Sequence, residues 1–186
     1  AWAFDREQNV KVADELSMYK IIGIDHNVDY NTAVLACVYG DGTVHYCDEI
    51  RQQNSNTEML CKEMKERWKE VYPDPAGSAR STTSHRSDHQ IIRDHGYTVY
   101  AKKNHPSHRD RLNSLNRKLK DATGKVQMTV DPKCRYLIKD LEQVQRDRNG
   151  GIDKSNIELT HSLDAATYMI EYKWPIVQRI ATSIQW

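Results

Sequence analysis

The chain has 186 residues, of which 38% are hydrophobic and 28% charged, and its formal net charge is +1. That length suits one domain with its own core. No apolar run approaches the ~18 residues of a membrane span, no secretory signal is visible, and no G-x-x-x-x-G-K-[ST] phosphate loop occurs, so any ATPase work belongs to a part outside this sequence. The four cysteines, Cys37, Cys47, Cys61 and Cys134, form no C-x-x-C pair, which argues against a structural zinc site. Cys37 and Cys134 lie in apolar surroundings and read as reduced core residues.

Residues 1–18 are polar and irregular and read as an entry segment or linker remnant. They open Ala1-Trp2-Ala3-Phe4 without a methionine, as a piece of a longer protein does. Residues 19–25, with β-branched Ile21, Ile22 and Ile24, read as a buried strand. Gly23 within it marks a close approach by another backbone or a ligand. Residues 32–39 and 43–50 are two further strands joined by the Gly40-Asp41-Gly42 turn, giving an antiparallel meander. Ser55-x-x-Glu58 matches a capping box, and Leu60, Met64, Trp68 and Val71 continue an apolar stripe, which predicts a helix that Pro73 ends unless a short strand leads into Asp74. Residues 78–87 read as a mobile loop. A short helix at 87–95 stops at Gly96, and a strand covers 97–101.

Ser107 begins the next helix, whose stripe is Leu112, Leu115, Leu119 and Ala122, with Gly124 as its stop. Residues 126–130 alternate as a strand. Asp131-Pro132 fits an N-cap followed by the first helical position, opening a helix through Leu141. Residues 146–151 form a glycine-ended loop. The last helix covers about 160–172 and is limited by Pro175. The order β-β-β-α-β-α-β-α-β-α-α predicts an α/β fold: a mixed sheet, with an antiparallel three-stranded meander plus parallel strands, flanked by helices. The domain spans 19–175, with a tail at 176–186.

Three aspartates sit at structural punctuation: Asp25 at the end of the first strand, Asp74 in Tyr72-Pro73-Asp74-Pro75, and Asp164 in the apolar face of the last helix. A strand-end acid is often only a cap, and Asp-Pro occurs in many turns. A mid-helix Asp beside alanines has poor helix propensity, which points to a specific role. Mg²⁺ and Mn²⁺ favour carboxylates and water. Two such ions ~3.5–4 Å apart can activate water and stabilise the leaving oxygen of a phosphodiester. His161, three residues before Asp164, shares its face and reads as a supporting group. Charge is uneven as well: from Lys102 to Lys120 seven Lys and Arg face one acid, Asp110. Such a patch fits an anionic partner. Lys102, Lys103, Arg109 and Arg111 are candidate contacts for such a partner, with Arg80 and Arg86 in the Ser/Thr-rich loop. Arg117, Lys118 and Lys120 read equally as the wet face of their helix.

Gly23-Ile24-Asp25, Asp48-Glu49-Ile50, Asp74-Pro75-Ala76-Gly77 and His161-x-x-Asp164-Ala165-x-x-Tyr168 occur in this order. Together they resemble the C-terminal nuclease domain of tailed-phage terminase large subunits, over nearly the whole chain. The resemblance implies a ribonuclease H-like fold and an endonuclease that cuts concatemeric double-stranded DNA during viral genome packaging. It implies Asp25, Asp74 and Asp164 as catalytic metal ligands, with Asp25 bridging two Mg²⁺ or Mn²⁺ ions and Glu49 a lesser candidate. It further implies an N-terminal ATPase on the same polypeptide, portal protein and small terminase subunit as partners, and the host cytoplasm as the site of action. Many relatives carry a glycine- or serine-containing turn after the first aspartate, where this chain has His26-Asn27, so His26 is a supporting candidate near the metals. Two other readings use the same residues: another ribonuclease H-like nuclease of resolvase or integrase type, and a non-catalytic module docking on DNA or a portal ring.

Overall fold

A computed structural model of the chain describes residues 1–13, 19–27, 29–64, 68–79, 86–145, 147–148, 152–153, 155–156 and 158–176. Its centre is strand β1 (Tyr19–His26), whose Ile21, Ile22 and Ile24 are fully buried. β1 pairs antiparallel with β2 (Tyr30–Val38), which pairs antiparallel with β3 (Val44–Gln53). The β2–β3 turn places Gly42 at φ +79°, a conformation glycine adopts without steric cost. On its other edge β1 pairs parallel with β4 (Glu70–Pro73), and β4 pairs parallel with β5 (Thr98–Val99). β6 (Met128–Val130) adds parallel to β3, so the six-stranded sheet runs β5-β4-β1-β2-β3-β6. The mixed sheet and its order of elements are those expected from the sequence.

Alternation along β1 divides the core. Ile22 and Ile24 face α2 (Thr57–Glu63) and α3 (Asp88–Asp94), together with Leu60, Trp68 and Ile92. Ile21 faces the other layer, where α4 (His108–Leu119), α5 (Arg135–Gln143) and α6 (His161–Lys173) supply Leu115, Leu119, Leu137, Leu141, Leu163 and Met169. α6 is buried from His161 to Glu171. It lies between the sheet and the two other helices, which accounts for its small and apolar composition. All four cysteines are buried thiols, with Cys37 Sγ 3.6 Å from Cys47 Sγ.

Two sequence expectations are corrected. The predicted helix through Val71 ends at Glu63, its N-cap is Asn56 rather than Ser55, and Val71 lies in β4 beside Ile22. Glu58, expected to close a capping box, instead pairs with Arg86 and His95. Strand pairing with β1 overrides the helical periodicity here. Asp131-Pro132 forms a turn, and α5 begins only at Arg135. Its exposed N–H groups find their acceptor elsewhere: Glu49 accepts from Tyr136 N at 2.7 Å and Leu137 N at 2.9 Å. Residues 1–10, within the expected entry segment, pack against the domain. A helical turn at Arg6–Asn9 (α1) is capped by Asp5, Val10 bridges Val130, and buried Asn9 donates to Leu119 O and Met128 O. The 146–151 loop lies largely outside the described residues, and so do Arg80 and the tail beyond 176.

Candidate metal centre

Asp25 occupies the second-last position of β1, across from Thr32. Asp74 follows β4 directly, and its N–H donates to Ile24 O at 2.9 Å. The two acids therefore stand at the carboxyl ends of adjacent parallel strands, where open α/β sheets bind their ligands. Asp74 Oδ1 also accepts from Ala76 N at 2.9 Å and caps a 3-10 turn at Pro75–Ser78.

Asp164 comes from α6. The helix approaches β1 closely because Gly23 has no side chain: a Cβ built there would lie 2.1 Å from Ala165 O. Tyr46 OH, donating to Ala166 O at 3.2 Å, ties the same turn to β3. Thr160, with φ +86°, precedes the helix and supplies no side-chain cap. Asp140 of α5 takes that part, accepting from Leu163 N at 3.0 Å. With its start fixed in this way, α6 presents His161, Asp164 and Tyr168 along one face.

Each acid has a basic group against it. His161 Nδ1 lies 3.1 Å from Asp25 Oδ2. His105 Nε2 lies 3.2 Å from Asp74 Oδ1 and 3.3 Å from Tyr168 OH. Arg111 of α4 donates to Asp164 Oδ1 at 2.9 Å and to Thr167 Oγ1 at 2.8 Å. Its guanidinium carbon sits 4.3 Å from the centre of the Tyr168 ring. The acids share one electrostatic environment. Burial pushes the Asp25 carboxyl above the usual carboxylate range, the His161 hydrogen bond opposes this, and Asp164 and Asp74 push it further up. Three carboxylates in a mostly buried site are a hard-oxygen donor set suited to Mg²⁺ or Mn²⁺. As arranged here, no three His, Cys, Asp or Glu side chains among the described residues are gathered tightly enough to hold an ion. Their basic partners occupy the carboxylates instead.

Other expected site residues fall elsewhere. Glu49 caps α5 as described, and burial raises its pKa. His26 packs beside Gly77 and His89 and lines a cavity of about 450 Å³ with Asn31, Ser55 and Asp88. Burial holds its pKa below the usual histidine value. Arg111, expected on the DNA face, is only 1% exposed and serves the acid cluster. Lys118, read as possible wet face, is buried with its amine on Gly42 O and over the Trp174 ring. Lys102 is paired with buried Glu171, and Arg86 with Glu58 and Asp94. Lys103 and Arg109 are exposed, on either side of the loop that carries His105 to Asp74. Sequence reasoning misses His105 and Asp140 and reads Arg111 only as a DNA contact. For Arg111 and Asp140 a signal existed: each lies on the apolar stripe of its helix, where a charged residue implies a buried partner.

No family model matches the chain, and no curated protein matches it. Solved structures do. The nuclease domain of the phage P22 large terminase superposes with a TM-score of 0.68 at 15% identity, covering 92% of this chain and 91% of that one. The chain has the fold of a large terminase nuclease domain. The corresponding domain of bacteriophage SPP1 (g2p), solved with bound Mn, gives a TM-score of 0.54 at 16% identity, covering 89% of this chain and 97% of that one.

Proposed function

We propose that this chain is a divalent-metal-dependent endonuclease acting on double-stranded DNA, the cutting module of a phage packaging terminase. The observation that carries this reading is the meeting of Asp25 and Asp74 at adjacent parallel strand ends with Asp164, brought across the sheet by α6. It is supported by a fold shared with two terminase nuclease domains, one of them solved with Mn. In this reading Asp25, Asp74 and Asp164 would together hold two Mg²⁺ or Mn²⁺ ions. Bound ions supply Lewis acidity and a water acidic enough to attack phosphorus near neutral pH. His161 would orient the Asp25 carboxylate, and His105 would hold Asp74 until an ion binds. Exposed Lys103 and Arg109 hold the DNA backbone, a contact that gives affinity without sequence information. The same reading gives the chain an ATPase on the same polypeptide, with portal protein and small terminase subunit as partners, working in the host cytoplasm. No helix among the described residues is long and apolar enough to cross a membrane.

The test is Asp25→Asn assayed by plasmid nicking with Mn²⁺. Loss of a shared ligand removes several kcal/mol of transition-state stabilisation, about 10³-fold in rate. Metal-dependent nicking that survives in the variant refutes the assignment.

A further inference from the structure

The three acids are met by three basic side chains of different character. His161 and His105 each set a ring nitrogen against a carboxylate. Arg111 is different: it brings a guanidinium, a fixed planar cation, and it is only 1% exposed. It is held on three sides: Asp164 Oδ1 at 2.9 Å, Thr167 Oγ1 at 2.8 Å and the Tyr168 ring at 4.3 Å, with His108 Nδ1 3.3 Å from its second amine. Both Thr167 and Tyr168 belong to α6, as Asp164 does. The guanidinium is thus seated on α6 itself, against the acid that the proposed function gives to metal. An ion taken up by these carboxylates must share Asp164 with a charge that cannot be discharged.

We propose that Arg111 is a built-in counter-cation of the acid cluster, a positioning residue that holds Asp164 in place and competes with a divalent ion for its charge. The inference rests on the metal-binding reading above and deepens it. Before metal arrives, the guanidinium offsets one of three clustered carboxylates, two of them buried, that would otherwise repel one another. Once an ion arrives, the same fixed charge weakens its hold. Arg111 therefore trades metal affinity for stability of the unloaded site, and α4, which begins at the proposed DNA surface, carries the residue that sets the balance.

The experiment titrates the chain with Mn²⁺ alone, without DNA, by calorimetry and by thermal unfolding, in wild type, Arg111→Gln and Arg111→Lys. Arg111→Gln unfolds at lower temperature without Mn²⁺. Mn²⁺ raises its Tm more than it raises that of wild type, and its isotherm is on the order of tenfold tighter, since a unit charge within a few ångströms of the ligand is gone. Arg111→Lys keeps the charge and binds Mn²⁺ like wild type. Equal loss of Tm with and without Mn²⁺, or Mn²⁺ binding no tighter in Arg111→Gln, overturns the proposal and leaves Arg111 a packing residue. If Arg111→Gln fails to fold alone, Mn²⁺ at a concentration that saturates wild type restores the fold, and failure to do so is equally decisive against it. A wild-type chain that binds no Mn²⁺ refutes the metal reading itself. A wild type that binds, with a variant that is no tighter, refutes only the role of Arg111.

Discussion

Gly23→Ala is the smallest change that connects the sheet to the site. In an ordinary strand the substitution is mildly favourable, because alanine loses less conformational freedom on folding. Here the added Cβ meets Ala165 O at 2.1 Å, Ala165 C at 3.0 Å and Met169 Cε at 3.1 Å. The first two are helix backbone and cannot rotate away, so α6 must retreat from β1 by roughly 1 Å to restore ordinary contact. Overpacking of this kind costs about 1–3 kcal/mol, and at this chain length each kcal/mol lowers Tm by roughly 2–4 °C. The same retreat stretches the 3.1 Å contact between His161 and Asp25 beyond hydrogen-bond range. A misplacement of 1 Å at a reacting centre can cost about 10²-fold in rate. Circular dichroism melts and Mn²⁺-dependent plasmid nicking read both effects. Gly96→Ala serves as the control, because Gly96 has φ +83° and nothing within 4 Å of its missing Cβ. That variant loses about 1 kcal/mol to backbone strain while cleaving normally at a temperature where it is folded. Gly23→Ala with wild-type melting and nicking refutes the claim that the Gly23–Ala165 approach sets the position of α6.

Two further outcomes follow from side chains around the centre. Burial raises the Asp140 carboxyl from 3.8 to about 6. The folded state therefore holds a proton there that the unfolded chain has lost, and stability from this group is full below pH 3.8 and falls as pH rises through about 6. At 1.36 kcal/mol per pH unit the neutral-pH penalty is on the order of 3 kcal/mol. Asp140→Asn keeps an acceptor for Leu163 N and removes that slope, so urea unfolding at pH 4.5 and 7.5 shows the variant gaining on wild type at the higher pH; parallel curves contradict the assignment. Lys103→Glu with Arg109→Glu lowers duplex affinity and flattens its log–log dependence on salt by about 0.9 per lost phosphate contact, whereas an unchanged slope removes both residues from the DNA surface.

The parts of this molecule that sequence made legible are those governed by local pattern. The isoleucines of β1, the Gly42 turn and the Ser107 cap each act within a few residues, and the structure keeps them. Gly23 was readable as a place of close approach, although only the fold shows that Ala165 is what approaches. Misreadings arose where a distant partner decides. Val71 belongs to β4 because β1 offers it a parallel neighbour, and α5 starts late because Glu49 on β3 caps it. The candidate site follows the same division. The three aspartates stood out by position and helix propensity, whereas the basic groups set against them come from α4, the loop before it and α6. Arg111 looked like one more member of a basic run, although its place on the Leu115 and Leu119 stripe marked it as inward-facing.

The central claim is that Asp25, Asp74 and Asp164 form one metal centre. Crystals of the chain soaked in Mn²⁺ test it most directly, by anomalous scattering at the manganese edge. The account predicts peaks bounded by these three carboxylates, with His105 withdrawn from Asp74. A peak held by other residues, or saturating Mn²⁺ with these carboxylates still bound only to His161, His105 and Arg111, contradicts it.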